Sequence, residues 1–300
     1  MALPVTISAP AKVNLALSVG PPEPPGMPDA GMHPIASWVT AIDLFDEITL
    51  THKDATTLDR RWAEDAPLTS PLGWLADDDL TVRALAKLSA KVGKELTAHI
   101  SVTKRIPVGG GLGGGSSDAA ACLVAANRLF ELNLTLADLS QIARSLGSDI
   151  PFFLDETPIP RPALVTHFGE RIRRVDLEPT DLLLIFPNFG CHTGDVYRAY
   201  DQSPLTLDVQ RVVALAESGK VDTNELFNDL AFPAKRYKPE LQTLIGRIER
   251  ITDEPIHVSG SGSTFFLAPQ SVNELAAKIG QKITNVRCVK VRTLAGTERA

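Results

Sequence analysis

The sequence predicts an α+β protein of two lobes, and three observations carry that reading. Long strand-like stretches come early, helices and strands alternate in the last third, and Pro158, Pro160 and Pro162 cluster between the two patterns. At 300 residues the chain also reaches the length at which one core tends to divide. Mixed sheets are expected, with lobes covering 1–160 and 161–300.

The elements follow in order. Residues 5–19 alternate partly between apolar and polar and read as a strand. Residues 20–34 hold six prolines and read as a loop. The stretch 37–51, rich in Val, Thr, Ile and Leu, reads as one or two strands, and 54–77 is turn-rich. A helix over 79–92 places Leu80, Ala84 and Leu88 on one face. Residues 97–103 alternate with period 2, as a half-buried strand does. Helices are expected over 116–130 and 137–146, the second capped by Gly147. Short strands are expected at 151–154, 163–168, 171–177 and 181–187. Helices at 208–217, 238–249 and 271–280 then alternate with strands at 255–258, 263–268 and 286–293.

Composition narrows the function. The chain is 44% hydrophobic and 22% charged, as an ordinary folded protein is, which excludes extensive disorder. A net charge of -6 argues against nucleic-acid partners and against a basic membrane-surface protein. A small phosphate-bearing ligand needs only a local positive site and stays open. Cys122, Cys191 and Cys288 are far apart and form no Cys-x-x-Cys pair, so neither a disulfide framework nor a structural zinc site is expected. Lys12 and Asn14 interrupt the first apolar stretch, which lacks signal-peptide character, and no run approaches the roughly 20 apolar residues that span a bilayer. The expected setting is cytoplasmic.

The strongest motif is the run from Pro107 to Ala121, in which six of the seven residues 109–115 are glycine. A strand precedes it and an alanine-rich helix follows. Glycines let the backbone approach a ligand, and the N–H groups at a helix start bind phosphate oxygens with help from the helix dipole. Ser116 and Ser117 could cap the helix or offer hydroxyls to phosphate or to magnesium's shell. A flexible linker would not sit between a period-2 strand and so good a helix start. Gly109-x-Gly111-x-x-Gly114 satisfies the dinucleotide fingerprint, but any glycine run does, and the preceding strand alternates where a buried parallel strand should not. No Gly-Lys-Ser/Thr ends the loop, and neither His-Arg-Asp nor Asp-Phe-Gly is present, so the P-loop and protein-kinase patterns both fail.

Two further residues stand out. Asp149, between Gly147 and Pro151, reads either as a turn residue or as a base. Lys12 and Asn14 share one face of the first strand by period 2, which suits a site as well as a solvated face.

Pro-x-Gly-Gly-Gly-Leu-Gly-Gly-Gly-Ser-Ser-Asp-Ala-Ala resembles the central motif of the galactokinase, homoserine kinase, mevalonate kinase and phosphomevalonate kinase (GHMP) superfamily. Its triple-glycine form most resembles the superfamily's diphosphocytidyl-methylerythritol kinases of non-mevalonate isoprenoid synthesis. Residues 9–15, 31–35, 46–48, 146–152, 169–170 and 258–263 resemble further motifs of these kinases. The resemblance implies two lobes with the active site in the cleft between them, and an ATP- and Mg2+-dependent transfer to the 2-hydroxyl of a small cytidine-diphosphate-linked alcohol. It implies Lys12 and Asp149 as the catalytic pair, with Lys12 supporting the Asp149 carboxylate and polarising the hydroxyl. Nucleotide binding falls to Pro107, Val108, Gly109, Gly110, Gly111, Leu112, Gly113, Gly114, Gly115, Ser116 and Ser117. Acceptor binding falls to Asn14, Met32, His33, Tyr197, Gly260, Ser261 and Gly262. The protein is expected as a monomer or homodimer without nucleic-acid or membrane partners. Three features depart from the pattern. Met32 stands where the family has tyrosine, the proline-rich segment before it is long, and Asp79 replaces a common asparagine. A related kinase of another alcohol and a non-catalytic nucleotide binder are the alternatives.

Overall fold

The computed structural model describes residues 3–296. It begins with a long antiparallel pair, β1 (Val5–Val19) and β2 (Ile35–His52). Next come β3 (Thr57–Trp62), α1 (Leu80–Val92), β4 (Ala98–Lys104), α2 (Gly114–Leu129) and α3 (Leu136–Arg144). A 3-10 turn, Ile150–Phe153, leads to β5 (Ala163–His167), β6 (Arg171–Arg174) and β7 (Asp181–Pro187). The chain continues through α4 (Thr193–Tyr200), α5 (Val209–Ser218), β8 (Phe227–Asn228), α6 (Ala231–Tyr237) and α7 (Pro239–Glu249). It closes with β9 (His257–Val258), β10 (Phe265–Leu267), α8 (Val272–Lys282) and β11 (Val286–Arg292).

The α+β class holds. One sheet is mixed and runs β3-β4-β2-β1-β8, with β5 and β6 added beside β2. β2 is long because one edge serves two partners: Ile35–Val39 pairs with β5 and Glu47–His52 with β4. The other sheet is antiparallel, in the order β11-β7-β10-β9. Strands on both sides of residue 160 therefore share the first sheet.

Helices α1, α2 and α3 cover the first sheet over an alanine- and leucine-rich core. Helices α4, α6, α7 and α8 cover the second. Between the sheets, Val13, Leu15, Trp38 and Ile42 belong to the same apolar cluster as Leu182, Leu184, Phe186 and Phe266. β7 faces two cores. Leu183 and Ile185 belong to one and Leu184 and Phe186 to the other, as period 2 requires. From Ala9 onward every residue of β1 is buried. Coverage on both faces is why its alternation is only partial, and it draws Lys12, Asn14 and Ser18 inside. Register shifts at Pro10/Ala11 and Asn14/Ala16 bulge the strand beside the site.

Several expectations are corrected. Residues 151–154 form no strand; Pro151 lacks an N–H and opens the 3-10 turn instead. Gly147 does not cap α3, which ends at Ser145 in the right-handed region. β3, α4, β8 and α6 were not anticipated. In β3 the run Asp59-Arg60-Arg61 hides an edge strand whose residues alternate between exposed and half-buried. Among the described residues no helix is long and apolar enough to cross a membrane.

Candidate active site

The glycine loop joins β4 to α2 and lines a cleft of about 930 Å³. Its carbonyls are held by the protein. Lys12 N donates to Leu112 O at 2.9 Å, Thr264 N to Gly110 O at 3.1 Å and Ser259 Oγ to Gly111 O at 3.2 Å. At Gly111 the φ is +75°, and a Cβ would fall 2.2 Å from the Ser259 carbonyl. Only glycine fits there. With its carbonyls so engaged, the loop has N–H groups left for an anion in the cleft.

Pro107, Val108, Gly109 to Gly115 and Ser116 all line this cleft, with Asn14, Met32, His33, Tyr197, Gly260 and Ser261. Two expected residues do not. Ser117 is 1% exposed and faces a separate hollow beside Ala120 and Arg128. Gly262 packs against Val258, Cys191 and Leu241. Neither serine caps α2, whose N-cap is Gly113.

Lys12 and Asp149 meet in the cleft. Lys12 Nζ donates to Asn14 Oδ1 at 2.6 Å and lies 3.5 Å from Asp149 Oδ2. Asn14 Nδ2 in turn donates to Ser37 Oγ at 2.8 Å, and Ser37 to Ala16 O at 2.9 Å. This chain fixes the ammonium from within the sheet. The 3-10 turn after α3 presents Asp149 from the other side, with 49% of its side chain exposed.

In the cleft wall His33 is held on both ring nitrogens, by Gly20 O at 3.0 Å and Asp201 Oδ1 at 3.1 Å. Its ring centre is 4.9 Å from that of Tyr197. Burial, with Asp149 nearby, pushes the Tyr197 phenol above its ordinary pKa. Met32 stands at the rim, 39% exposed.

Beneath the glycine loop Lys104 is buried between two carboxylates. It contacts Asp46, and Asp118 lies at 2.6 Å. Asp46 Oδ1 also accepts the backbone N–H groups of Arg105 and Ile106, which aims the chain into the loop. Burial opposes the Lys104 charge, but Asp118 and Asp46 outweigh it and hold the ammonium above its usual pKa. Burial pushes the Asp118 carboxyl well up; Lys104 opposes this and Asp46 adds to it. Lys104 is thus neutralised from within, and Arg105 pairs outward with Asp65 at 2.8 Å.

Asp79 and Trp74 also line the cleft. Asp79 caps α1: its Oδ1 accepts Thr81 N at 2.9 Å and Thr81 Oγ1 at 2.6 Å. Its Oδ2 accepts Trp74 Nε1 at 2.9 Å and Arg60 Nη1 at 3.1 Å. Burial opposes its ionisation, but the bonds from Thr81, Trp74 and Arg60 outweigh this and lower its pKa.

Sequence reasoning missed Trp74, Arg60, Asp46, Asp118 and Asp201. The last four come from separate segments that only the fold unites. Among the described residues no three His, Cys, Asp or Glu side chains cluster as a metal site. Asp118 Oδ1 is buried without a hydrogen-bond partner among the described residues, and Asp118 and Ser116 both line the cleft. These oxygens suit a magnesium ion that is mostly held by phosphates and water.

A glycine-rich anion loop beside a Lys–Asp pair in one cleft, on two sheets joined in this way, defines a small-molecule kinase of the GHMP class. Residues 79–156 match the GHMP kinases N terminal domain. The crystal structure of homoserine kinase from Cytophaga hutchinsonii has this fold, at TM-score 0.63 and 18% identity over 97% of this chain and 95% of that one. The chain is 35% identical over 292 residues to 4-diphosphocytidyl-2-C-methyl-D-erythritol kinase of Anaeromyxobacter sp. (strain Fw109-5), covering 96% of this chain and 90% of that relative. It is 33% identical to the Bacillus pumilus (strain SAFR-032) kinase of the same name, over 86% of each. A crystal structure of 4-(cytidine 5'-diphospho)-2C-methyl-D-erythritol kinase matches at TM-score 0.72 and 29% identity, over 96% of this chain and 99% of that one. The chain belongs to the 4-diphosphocytidyl-2-C-methyl-D-erythritol kinase family.

Proposed function

We propose that this protein transfers the γ-phosphoryl group of ATP to the 2-hydroxyl of 4-diphosphocytidyl-2-C-methyl-D-erythritol, a step of isoprenoid precursor synthesis. One observation carries the reading: Lys12 Nζ and Asp149 Oδ2 stand 3.5 Å apart in a cleft that the glycine loop and the His33–Tyr197 pair also line. Phosphates bind along the loop, the acceptor's cytosine lies at His33 and Tyr197, and its hydroxyl meets Asp149. The hydroxyl proton passes to Asp149. The oxygen bonds to the γ-phosphorus as the bond to the β-phosphate's bridging oxygen breaks, and ADP leaves. Lys12 stabilises the charge that develops on the acceptor oxygen. Most of the acceleration comes from positioning and fixed charge, as in other phosphoryl transfers.

Ser116 and Asp118 would hold the magnesium ion with the phosphates. When bound, such an ion neutralises charge on the β- and γ-phosphoryl oxygens. Residues 1–160 are proposed as the nucleotide lobe and 161–300 as its partner. Because β5, β6 and β8 all join the first sheet, the lobes are expected to unfold together.

The test is ADP release by the purified protein with ATP and magnesium, with and without the acceptor. Acceptor-dependent release supports the reading. ATP binding without such release overturns it.

A further inference from the structure

We propose that the turn between β5 and β6 is the seat of Asp149, and that Gly169 and Glu170 are positioning residues for the proton transfer. Neither lines the cleft, so each acts through the backbone at 148–149. The inference rests on the reading that Asp149 takes the acceptor's proton.

Asp149 is loosely held by its own segment. It precedes the 3-10 turn Ile150–Phe153 and makes no side-chain cap bond there. Its carboxylate pairs with Lys12 at 3.5 Å and accepts no hydrogen bond from the described residues. Ile150 N reaches Gly147 O at 3.4 Å, which is long for a hydrogen bond, and Pro151 has no N–H to give. The direction of the carboxylate then depends on where the peptide between Ser148 and Asp149 sits.

The β5–β6 turn sets that peptide. The Gly169 backbone lies against it: a Cβ there would fall 2.4 Å from the Ser148 carbonyl oxygen, and 2.9 Å from the carbonyl carbon and from Ser148 Cβ. The φ of Gly169 is +104°, so space and conformation both require glycine. His167, two residues earlier, is also left-handed, at φ +65°. A residue other than glycine keeps that conformation where its surroundings fix it. Here Glu170 fixes it. Its Oε2 accepts Phe168 N at 3.0 Å, and its Oε1 meets His167 Nδ1 at 2.5 Å. The Glu170 carbonyl accepts Arg144 Nη2 at 3.4 Å, which ties the turn to the end of α3. Burial opposes the Glu170 charge, but the N–H groups of Glu170 and Phe168 and the His167 ring outweigh it and lower its pKa. Phe168, between them, lines the cleft with Ser148 and Asp149. One carboxylate thus shapes a turn whose glycine packs on the peptide that carries Asp149.

Steady-state kinetics in two backgrounds tests this. Glu170→Ala should lower kcat about 10- to 100-fold, the scale of a catalytic group misplaced by up to about 1 Å. The KM for ATP and for the acceptor should each stay within about twofold, so kcat and kcat/KM fall together. Glu170→Gln, whose amide oxygen can still accept from Phe168 N, should recover most of the loss. In an Asp149→Ala background Glu170→Ala should lower kcat no further, since no carboxylate is left to aim. Gly169→Ala should show the same pattern, and if it fails to fold, the Glu170 variants decide. A native kcat in Glu170→Ala, or an equal fall with and without Asp149, would overturn this inference alone. A native kcat in Asp149→Ala would overturn it together with the reading of Asp149 as the base.

Discussion

Lys12 gives its short hydrogen bond to Asn14 and its charge to Asp149: the two oxygens lie 2.6 Å and 3.5 Å from its ammonium. The lysine side chain is 5% exposed and the aspartate 49%. The cation is therefore fixed by the sheet, while the carboxylate keeps lone pairs open to the cleft. A ligand hydroxyl in the cleft can contact both groups from the side without displacing a buried bond.

The anion loop depends on its contact with the turn 259–263. Gly111→Ala would place a methyl group in a left-handed backbone and 2.2 Å from the Ser259 carbonyl. This substitution should lose about 1–3 kcal/mol from backbone strain before the clash is counted. Thermal unfolding should show a clear fall in Tm, and calorimetry a loss of ATP affinity. Gly73→Ala, where nothing lies within 4 Å and φ is not positive, should leave both near the native values.

The acceptor end can be read through its aromatic pair. Tyr197→Ala should raise the acceptor's KM about tenfold, the scale of one lost stack, without moving the KM for ATP. Met32→Tyr, which restores the aromatic ring that the resemblance leads one to expect, should lower the acceptor's KM. Methionine covers a ring through a polarizable but flexible side chain, and a second ring covers it better. Steady-state kinetics with each substrate varied in turn checks both.

Asp155 clasps the segment that follows Asp149. Its buried carboxylate meets Arg161 at 2.8 Å and Arg174 at 3.2 Å, while Arg174 Nη2 donates to Phe152 O at 2.9 Å and Leu154 O at 2.7 Å. Burial opposes the Asp155 charge, but Arg161 and Arg174 outweigh it and lower its pKa. Burial also lowers Arg174 to about 10, against the pull of Asp155. A carboxylate whose pKa is lower folded than unfolded stabilises above its unfolded value, and that stability is lost as pH falls through the folded value. Asp155→Asn should therefore be less stable than the native protein by about 2 kcal/mol near neutral pH. The gap should close as pH falls below about 4. Urea denaturation across that range measures it.

Periodicity made much of the fold legible. β4 alternates cleanly because one face is buried, and α1 shows its stripe for the same reason. The failures have equally local causes. The apolar run Ile150-Pro151-Phe152-Phe153 looks like a buried strand, but all four residues are buried in a 3-10 turn. α4 carries Tyr197 on only eight residues, His192 supplies no side-chain cap, and its pattern is too short to register. In the site, contiguous motifs were readable and assembled ones were not. The glycine loop is one segment. The Asp46–Lys104–Asp118 cluster needs β2, β4 and α2 together, and Trp74 gains its setting only when β3 brings Arg60 beneath it.

The central claim is that Asp149 and Lys12 deliver the γ-phosphoryl group to an alcohol of the cytidine-linked acceptor. Phosphorus NMR of the reaction mixture tests it most directly, with native protein beside Asp149→Ala under saturating ATP, magnesium and acceptor. The native protein should produce a phosphomonoester resonance as the ATP γ signal declines. The variant should do so about 10²- to 10⁴-fold more slowly, as expected for loss of a general base, while still binding ATP. A phosphomonoester formed equally fast by both proteins, or ATP hydrolysed to free phosphate with no phosphomonoester, would contradict the account.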